Sequence, residues 1–284
     1  MTDERSLISV VVPVGAVDDL LPLQLRTLAA QTYRGPWELI LSLNTDDPGQ
    51  RDRLEQLLAS VEGLPWRIVD SSDQRSASHA RNVGAAAAGG DLLFFCDGDD
   101  LADPGWLSAL VDALDGPASA VGGHLDEDRL AIDGQAHWRP PATPGALPTF
   151  LGHPFLVSAN MGVERTAFEK AGGFDTSLIR GEDIAFSWAL LDHGFELAYC
   201  PDAVIHYRHR RGLVPMMRQH YLYGRGFSQI LARRGVPGGD GANTGLGSLR
   251  PNGQAVTRKG LAYFCRRGSI AAGRLVGLVA ERRR

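Results

Sequence analysis

The first 114 residues alternate four times between a short apolar segment and a segment with helical apolar spacing. The apolar segments end near Val14, Leu43, Asp70 and Cys96. Short apolar runs bounded by Gly, Pro or Asp are typical of buried strands. Strands that alternate with helices predict a parallel sheet with right-handed crossovers and helices on both faces. We therefore expect an α/β fold whose sheet is mostly parallel and flanked by helices.

The fourth apolar segment, Asp91-Leu-Leu-Phe-Phe-Cys96, runs directly into the acidic turn Asp97-Gly-Asp99-Asp100. The carboxyl end of a strand is where open α/β sheets bind ligands. Because like charges repel, the turn predicts a positive ligand, and carboxylate oxygens suit Mg²⁺ or Mn²⁺ carrying a phosphate. A polar loop that only caps the next helix is the alternative, since Asp103 and Pro104 fit an N-cap followed by Pro at the first helical position.

Two further positions carry residue types that could serve chemistry. Glu182 and Asp183 follow Gly181 at the start of a helix predicted over 184–193, and His206 lies in the second of two short strands predicted at 196–200 and 203–207. Acids in a first helical turn are commonly only dipole partners, and a lone histidine at a strand end is commonly structural. Together with an acidic turn, they instead offer a candidate base and a nitrogen ligand.

The cysteines and the N-terminus indicate the compartment. The chain has 284 residues and only three cysteines, which are widely spaced and form no CxxC motif. This pattern argues against a disulfide framework and favours a reducing environment. The N-terminus lacks a basic region followed by an apolar one, and no run of about 18 apolar residues occurs. We expect a cytoplasmic protein without a membrane-spanning helix.

Charge divides the chain into an acidic body and a basic tail. Residues 1–206 hold 13 Lys and Arg against 31 Asp and Glu, whereas residues 207–284 hold 16 basic residues and two acidic ones. Such a tail favours peripheral contact with an anionic membrane or a diphosphate-bearing acceptor. The acidic body and the missing base-reading motif argue against nucleic acid as a partner. The apolar positions that would enter a membrane interface are Leu261, Phe264, Leu275, Leu278 and Val279.

Seven motifs in a fixed order connect the chain to a known family. They are Ser9-Val-Val-Val-Pro-Val14, Leu28-Ala-Ala-Gln-Thr-Tyr33, Trp37-Glu-Leu-Ile40, Ala80-Arg-Asn-Val-Gly84, the segment 90–100, Gly172-Gly-Phe-Asp175 and Gly181-Glu-Asp183. In order and spacing they resemble family 2 glycosyltransferases of the GT-A fold, from about residue 7 to residue 210. The resemblance implies a catalytic domain at 1–210 and a basic helical C-terminal appendage at 211–284, with a Gly-rich linker around 235–254.

The resemblance also implies an activity. Members invert the anomeric centre while moving a sugar from a nucleotide diphosphate sugar donor to an acceptor hydroxyl, with Mg²⁺ or Mn²⁺. The acceptor would be a saccharide, a lipid-linked molecule or a small molecule, in the synthesis of cell-envelope polysaccharide, glycolipid or secondary metabolites. By the same resemblance, Asp99 would bind the metal and His206 would complete the metal or diphosphate site. Asp183 would be the general base, with Glu182 beside it near the acceptor.

Donor binding is implied for a larger set of residues. Arg81 and Arg75 resemble basic residues that face the donor phosphates, and Asp97 would face the ribose. The chain departs from the family where an Asp usually reads the base, because Asn44 and Asp46 occupy that stretch. The complete donor-binding set implied by the resemblance is Pro13, Val14, Asn44, Asp46, Arg75, Arg81, Asp97 and Gly98.

Three other functions remain open at this point. A phosphatase of the haloacid dehalogenase type also places Asp-x-Asp after an apolar strand, but it needs a Thr next and a later Lys, and only Lys170 lies between the turn and the tail. A nucleotidyltransferase would need a basic Gly-rich loop after the first strand, which the chain lacks. A non-catalytic nucleotide-binding or scaffold protein of the same fold is the third alternative.

Overall fold

The four predicted strands form one parallel half of a sheet. The computed structural model describes residues 7–131, 145–235 and 258–281. The strands are β1 (Ile8–Val14), β2 (Trp37–Leu43), β3 (Trp66–Asp70) and β4 (Leu92–Cys96). β1 lies between β2 and β4, and β2 also pairs with β3, all in parallel. The interior strands are almost wholly buried, as their continuous Val, Ile, Leu and Phe runs require.

The connecting helices lie where the helical spacing predicts them. They are α1 (Leu21–Ala29), α2 (Gly49–Ala59), α3 (Ala77–Ala87) and α4 (Trp106–Leu114). Ser76 caps α3 by accepting a hydrogen bond from the His79 amide at 3.0 Å. α3 approaches the sheet closely because Gly84 faces β1, where a Cβ would lie 2.4 Å from Val11 Cγ1. This contact holds Arg81, one turn earlier, near the carboxyl edge of the sheet.

The second half of the sheet is mixed. It contains β5 (Leu101–Ala102), β6 (Ala120–Asp126), β9 (Asn160–Glu164) and β10 (Leu197–His206). The eight strands run in the order β3-β2-β1-β4-β9-β6-β10-β5, with β9 antiparallel to both neighbours. Asn160 on β9 is buried, and its amide bonds Trp106 Nε1, the His124 oxygen and the Ala203 oxygen at 2.8–2.9 Å. One polar side chain thus joins α4, β6 and β10 to β9.

Shorter elements lie between β6 and β10 in the chain. A hairpin pairs β7 (Thr149–Phe150) with β8 (His153–Pro154), and α5 (Arg165–Lys170) and α6 (Glu182–Asp192) follow. Behind β4, the Phe95 ring packs on Phe168 and Phe174 at 5.5 and 5.3 Å between centroids. Phe174 in turn packs on Phe186 of α6 at 4.9 Å. This aromatic cluster fixes α6 against the sheet.

The basic tail folds back as a helical hairpin on this body. α7 (Leu213–Arg233) and α8 (Arg258–Glu281) cross at glycines, where a Cβ on Gly224 would lie 2.1 Å from the Ile270 oxygen and one on Gly273 would lie 2.0 Å from the Tyr221 oxygen. α7 also packs on the segment before α6. No helix within the described ranges is long and apolar enough to cross a membrane. The predicted linker around 235–254 lies outside the described residues except at its first position.

Two local expectations were wrong. α4 begins at Trp106, so Asp103 is not its N-cap; the Asp103 backbone oxygen instead accepts from Trp106 N at 3.0 Å and Gln31 Nε2 at 2.8 Å. The two short strands expected after residue 196 form the single strand β10. Its register with β6 shifts between Cys200 and Val204, because Pro201 in this interval cannot donate a ladder hydrogen bond.

Candidate active site

A cavity of about 760 Å³ opens at the carboxyl edge of the sheet. The acidic turn and the start of α6 contribute to the same cavity, although 85 residues separate Asp97 from Glu182 along the chain. The turn follows β4, and α6 is fixed against the same sheet by the aromatic cluster. The cavity is lined by two kinds of surface, charged near the turn and aromatic or apolar towards α7. This separation suits a ligand with one charged end and one ring-bearing or apolar end.

The acidic turn brings three carboxylates close together. One carboxylate oxygen from each of Asp97, Asp99 and Asp100 lies within 4.8 Å of the others. Burial and the neighbouring Asp97 charge raise the pKa of Asp99 to about 6, and the pKa of the deeply buried Asp100 is raised as well. Asp100 Oδ1 accepts from the Arg208 amide at 2.7 Å, but its buried Oδ2 has no hydrogen-bond partner within the described structure. Crowded carboxylates and an unpaired oxygen fit Mg²⁺ or Mn²⁺.

A buried glutamine on α1 braces this turn from behind. Gln24 Nε2 donates to the Asp97 backbone oxygen at 3.2 Å, and Gln24 Oε1 accepts from the Ala102 amide at 3.1 Å. The same amide group therefore holds the chain on both sides of the carboxylates. Sequence reasoning missed Gln24 because a polar residue in an amphipathic helix normally faces solvent, although its spacing from Leu21 and Leu28 places it on the buried face.

Arg81 connects the turn to α6. Its guanidinium is almost fully buried, and Nη2 lies 2.6 Å from Asp97 Oδ1 while Nη1 lies 3.5 Å from Glu182 Oε1. The guanidinium carbon also lies 5.8 Å from the centre of the Phe174 ring. These carboxylates raise the pKa of Arg81 further, so its charge is permanent. Arg81 was predicted to face donor phosphates, whereas in this structure it bridges carboxylates of two separate elements.

Glu182 and Asp183 form the first turn of α6, as the sequence indicated. Gly181 before them has φ +87°, and a Cβ there would also meet Ile230 of α7, so only glycine fits this position. Burial and the adjacent Glu182 charge raise the pKa of Asp183 to about 7. Asp183 Oδ1 accepts from the Ile184 amide at 2.9 Å. A carboxylate with a pKa near neutrality, facing a cavity, has the properties of a general base.

His206 lies beside the acidic turn but makes other contacts. Its Nδ1 lies 2.7 Å from Asp126 Oδ2, and its Nε2 lies 2.6 Å from the Arg129 guanidinium and 3.6 Å from Asp103 Oδ2. A carboxylate on one ring nitrogen leaves the other nitrogen's lone pair available, which is the arrangement of a metal-binding histidine. In this structure Arg129 takes that lone pair, and His206 is not part of the three-carboxylate group. Its role as a ligand stays a prediction.

The predicted donor-binding residues fall into two groups. Pro13, Gly98 and Asn44 line the main cavity, and Val14 lines a neighbouring cleft of about 780 Å³ that shares Pro13, Gly98 and Asp99 with it. Asn44 Nδ2 donates to the backbone oxygens of Ser71 and Gln74, so its amide orders the loop after β3.

Asp46 and Arg75 form the second group. They pair with each other at the surface and do not line the cavity. No contact in the described structure connects this pair to the acidic turn, so a donor role for either residue stays a prediction.

A basic loop after β10 completes the charged side. The sequence analysis counted its charges with the tail and placed residues up to 210 in the predicted catalytic domain, but it did not single out Arg208 or Arg210. Arg208 donates its backbone N–H to Asp100 and its Nε–H to the Asp99 backbone oxygen at 2.9 Å. Arg210 lines both clefts and is close enough for its charge to act on Asp99. The sequence did contain a signal for this loop, because Tyr207-Arg-His-Arg-Arg directly follows a predicted strand. Loops that follow parallel strands lie at the ligand-binding edge of the sheet.

The α7 helix provides the opposite wall. Gln219, Tyr223 and Phe227 from three successive turns of α7 line the cavity, and Phe155 and Tyr199 complete the aromatic side. α7 was expected to be a basic appendage, yet these positions contribute no charge. The basic residues at its C-terminal end face the body instead, where Arg233 pairs with Asp175 and Arg234 with Asp192.

Comparisons with known proteins agree with this architecture. The model of glycosyl transferase family 2 matches residues 9–172. Glycosyltransferase AglE of Haloferax volcanii is 24% identical over 233 residues, which cover 81% of this chain and 76% of AglE. The pre-mycofactocin glycosyltransferase of Mycobacterium tuberculosis is 28% identical over 218 residues, which cover 63% of this chain and 45% of that relative. The validoxylamine A glucosyltransferase of Streptomyces hygroscopicus subsp. limoneus is 28% identical over 235 residues, which cover 69% of this chain and 50% of that relative.

A solved structure has the same fold. The mannosyltransferase PcManGT from Pyrobaculum calidifontis, in complex with GDP-Man and Mn²⁺, superposes with a TM-score of 0.64 at 17% identity, over 99% of this chain and 76% of that chain. The chain spans about three quarters of AglE and of this structure, and about half of the other two relatives.

Proposed function

The chain belongs to glycosyl transferase family 2 and has the GT-A fold, and from this premise we propose that it transfers a sugar from a nucleotide diphosphate sugar to an acceptor hydroxyl. One observation carries the proposal. Two members of the three-carboxylate group, Asp97 and Asp99, line the same cavity as Asp183, whose pKa lies near 7, and the buried Arg81 bridges the two sides. The phosphatase alternative loses its support, because its nucleophile chemistry belongs to another family.

Asp183 is the base in the proposed reaction. The acceptor hydroxyl gives its proton to Asp183 as its oxygen bonds to the anomeric carbon of the donor sugar. The bond from that carbon to the diphosphate oxygen breaks on the opposite face, so the configuration inverts and the nucleoside diphosphate leaves with the bonding electrons. Base catalysis of this kind contributes about 10²–10⁴-fold. The first-turn position of Asp183 on a helix held by packing fixes the carboxylate in the cavity.

The charged side of the cavity would hold the diphosphate. Asp97, Asp99 and Asp100 would bind Mg²⁺ or Mn²⁺, which when bound supplies Lewis-acid stabilisation of the leaving diphosphate. Arg208 and Arg210 sit on the adjacent loop, where their charges favour the phosphate oxygens. Arg208 also fixes the turn through its backbone and its Nε. The Mn²⁺ in the mannosyltransferase neighbour supports this assignment by analogy of fold.

Thermal melting against a panel of nucleoside diphosphates, with and without Mn²⁺, tests the proposal. A ligand at 100 times its Kd that binds only the native state adds about 2.7 kcal/mol of stability. We expect a Mn²⁺-dependent increase in Tm for one nucleotide, and its loss in Asp99→Ala. The matched control is Asp112→Ala, which removes an exposed carboxylate on α4 away from the cavity and should keep the increase.

The matching nucleotide sugars would then be tested for turnover. Transfer or slow donor hydrolysis that depends on Asp183 would support catalysis. A nucleotide-dependent Tm increase without any turnover would favour the non-catalytic nucleotide-binding alternative. No increase with any nucleotide at millimolar concentration would refute the donor site.

We further propose that α8 rests on an anionic membrane. Leu275, Val276 and Val279 on α8 are 65%, 45% and 47% exposed, and the hairpin lies in the basic part of the chain. Each basic residue near an anionic surface contributes about 1 kcal/mol. Of the positions expected at the interface, Leu261 and Phe264 have side chains outside the described residues. We expect the protein to cosediment with phosphatidylserine vesicles but not with neutral phosphatidylcholine vesicles. Val276→Asp should lose this cosedimentation. Equal binding to both vesicles would contradict the proposed contact.

A further inference from the structure

Arg180 is a cation in the cavity wall that the proposed reaction does not use. It is half-buried and lines the cavity that contains Asp183. Within the part of the chain that the structure describes, its guanidinium forms neither an ion pair nor a hydrogen bond. Arg81 in the same cavity already pairs with Asp97 and Glu182, and Arg208 is bonded to the acidic turn. Arg180 is therefore free to receive an anion.

The backbone that carries Arg180 is fixed by α7. The Arg180 oxygen lies so close to Gly226 of α7 that a Cβ there would approach it to 2.0 Å. The preceding residue, Ile179, donates its amide to Gln229 Oε1 at 2.9 Å, and Gly181 after it packs on Ile230. A backbone held at three successive residues fixes the direction in which the side chain leaves the chain. No backbone entropy then has to be lost when an anion binds, and only the side chain is ordered.

Arg180 does not serve to neutralise the base. The charges with the largest effect on Asp183 come from Glu182 and Arg81, not from Arg180. Arg180 also lies on the α6 side of the cavity, whereas the diphosphate side is provided by the acidic turn and the loop with Arg208 and Arg210. The backbone of Arg180 lies against Gly226 of α7, and Tyr223 and Phe227 of the same helix line the cavity with it, so we place the acceptor on this side.

We propose that Arg180 binds an anionic group, a phosphate or a carboxylate, that the acceptor carries next to its reacting hydroxyl. The inference rests on the proposed function and specifies its acceptor class. A guanidinium pairs with both anions through two parallel hydrogen bonds. The rings of α7 and Phe155 would cover the adjoining sugar or apolar part. The phosphate could belong to a soluble sugar phosphate or to a lipid headgroup, and the experiment separates these sources.

Isothermal titration calorimetry would measure acceptor-side binding with the donor side filled by the nucleoside diphosphate found above and Mn²⁺. The probes are glucose 6-phosphate for a soluble phosphate, dihexanoyl phosphatidylinositol for a lipid phosphate and octyl glucuronide for a carboxylate. Their neutral partners are glucose, dihexanoylglycerol and octyl glucoside, respectively. We expect at least one anionic probe to bind, its neutral partner to bind at least tenfold more weakly, and Arg180→Gln to weaken the anion about 10- to 100-fold.

Two variants and one control keep the result interpretable. Arg180→Lys keeps the charge but not the paired geometry and should fall between wild type and Arg180→Gln. Arg218→Gln removes an exposed arginine of α7 that does not line the cavity and should bind the anion like wild type. Both Arg180 variants should keep the Mn²⁺-dependent increase in Tm with the nucleoside diphosphate, which confirms folding and the donor site.

Three results would overturn the inference. One is equal binding of anionic and neutral probes, another is unchanged anion binding in Arg180→Gln, and the third is no binding of any anionic probe at millimolar concentration. If the nucleoside diphosphate itself fails to bind, the proposed function has failed. If it binds while the anionic probes do not, only the role of Arg180 has failed.

Discussion

Replacing Gln24 by Leu should uncouple the acidic turn from α1. Leu fills a similar buried volume but cannot bond the Asp97 oxygen or the Ala102 amide. The turn between these two backbone groups contains all three carboxylates of the candidate cation site. We therefore expect the substitution to reduce cation affinity as well as stability.

The magnitude follows from the hydrogen bonds that are lost. Three bonds between elements disappear, those to the Asp97 oxygen and the Ala102 amide and a weaker one from Nε2 to Cys96 Sγ at 3.4 Å. The first two contribute about 0.5–1.5 kcal/mol net each, which gives a loss of about 1–3 kcal/mol in the free energy of unfolding. The Ala102 amide retains Thr27 Oγ1 at 3.1 Å as a partner, which favours the lower half of this range. Loss of a group that orients metal ligands typically weakens metal binding about 10–100-fold.

Gln31, two residues after the end of α1, offers a matched control. It also bonds two backbone groups of the following segment, the Asp103 oxygen at 2.8 Å and the Leu107 amide at 3.0 Å, but both lie beyond the carboxylates. Denaturant unfolding should show similar stability losses for Gln24→Leu and Gln31→Leu. Electron paramagnetic resonance of free Mn²⁺ should show weaker binding only for Gln24→Leu. Equal Mn²⁺ affinities in the two variants would refute the reasoning.

Two further predictions concern α6 and the helical hairpin. Because the folded-state pKa of Asp183 is raised from 3.8 to about 7, the folded state holds an extra proton between these values, and stability falls as pH rises through this window. Asp183→Asn should therefore be more stable than wild type in denaturant unfolding at pH 8. Its kcat/KM should be about 10²–10⁴-fold lower than that of wild type, because the base is lost. If the kcat/KM of wild type did not fall on the acid side of about pH 7, the role of Asp183 as the base would be contradicted. Gly224→Ala should lose about 1–3 kcal/mol of stability because its Cβ meets the Ile270 oxygen. Gly268→Ala, an α8 position with open space, should instead gain about 0.5–1 kcal/mol, and comparable stabilities for the two variants would count against the tight crossing.

The parallel half of the fold could be predicted from the sequence because its signals are local. A buried strand needs a continuous apolar run, and a helix on the sheet needs apolar spacing near 3.6 residues, so β1 to β4 and their helices were readable within two or three residues. The direction of β9 was not readable. The five residues of β9 give no signal of strand direction, which is decided only by pairing with β4 and β6.

Site residues could be predicted from the sequence where a reactive residue type occurs at the end of a strand or the start of a helix. The acidic turn and Glu182–Asp183 were found because carboxylates follow a strand and open a helix. The bracing role of Gln24 and the bridging role of Arg81 were not, because each depends on distances between elements far apart in sequence. The α7 wall escaped for a different reason: Tyr223 and Phe227 look like ordinary amphipathic positions, and their charged neighbours drew attention to the tail as a whole.

The sharing of Arg81 between Asp97 and Glu182 makes the two halves of the site thermodynamically linked. When a donor engages Asp97, that carboxylate compensates the guanidinium less, and the positive field at Glu182 and Asp183 grows. A stronger positive field favours the ionised form of Asp183, so donor occupancy should lower its pKa and prepare the base. Linkage is reciprocal, and deprotonation of Asp183 should tighten donor binding by the same factor. We expect donor affinity to rise between pH 6 and pH 8 in wild type and to rise less in Asp183→Asn, where only the carboxylates of the acidic turn still titrate. The difference between the two profiles would measure the coupling that the buried Arg81 provides.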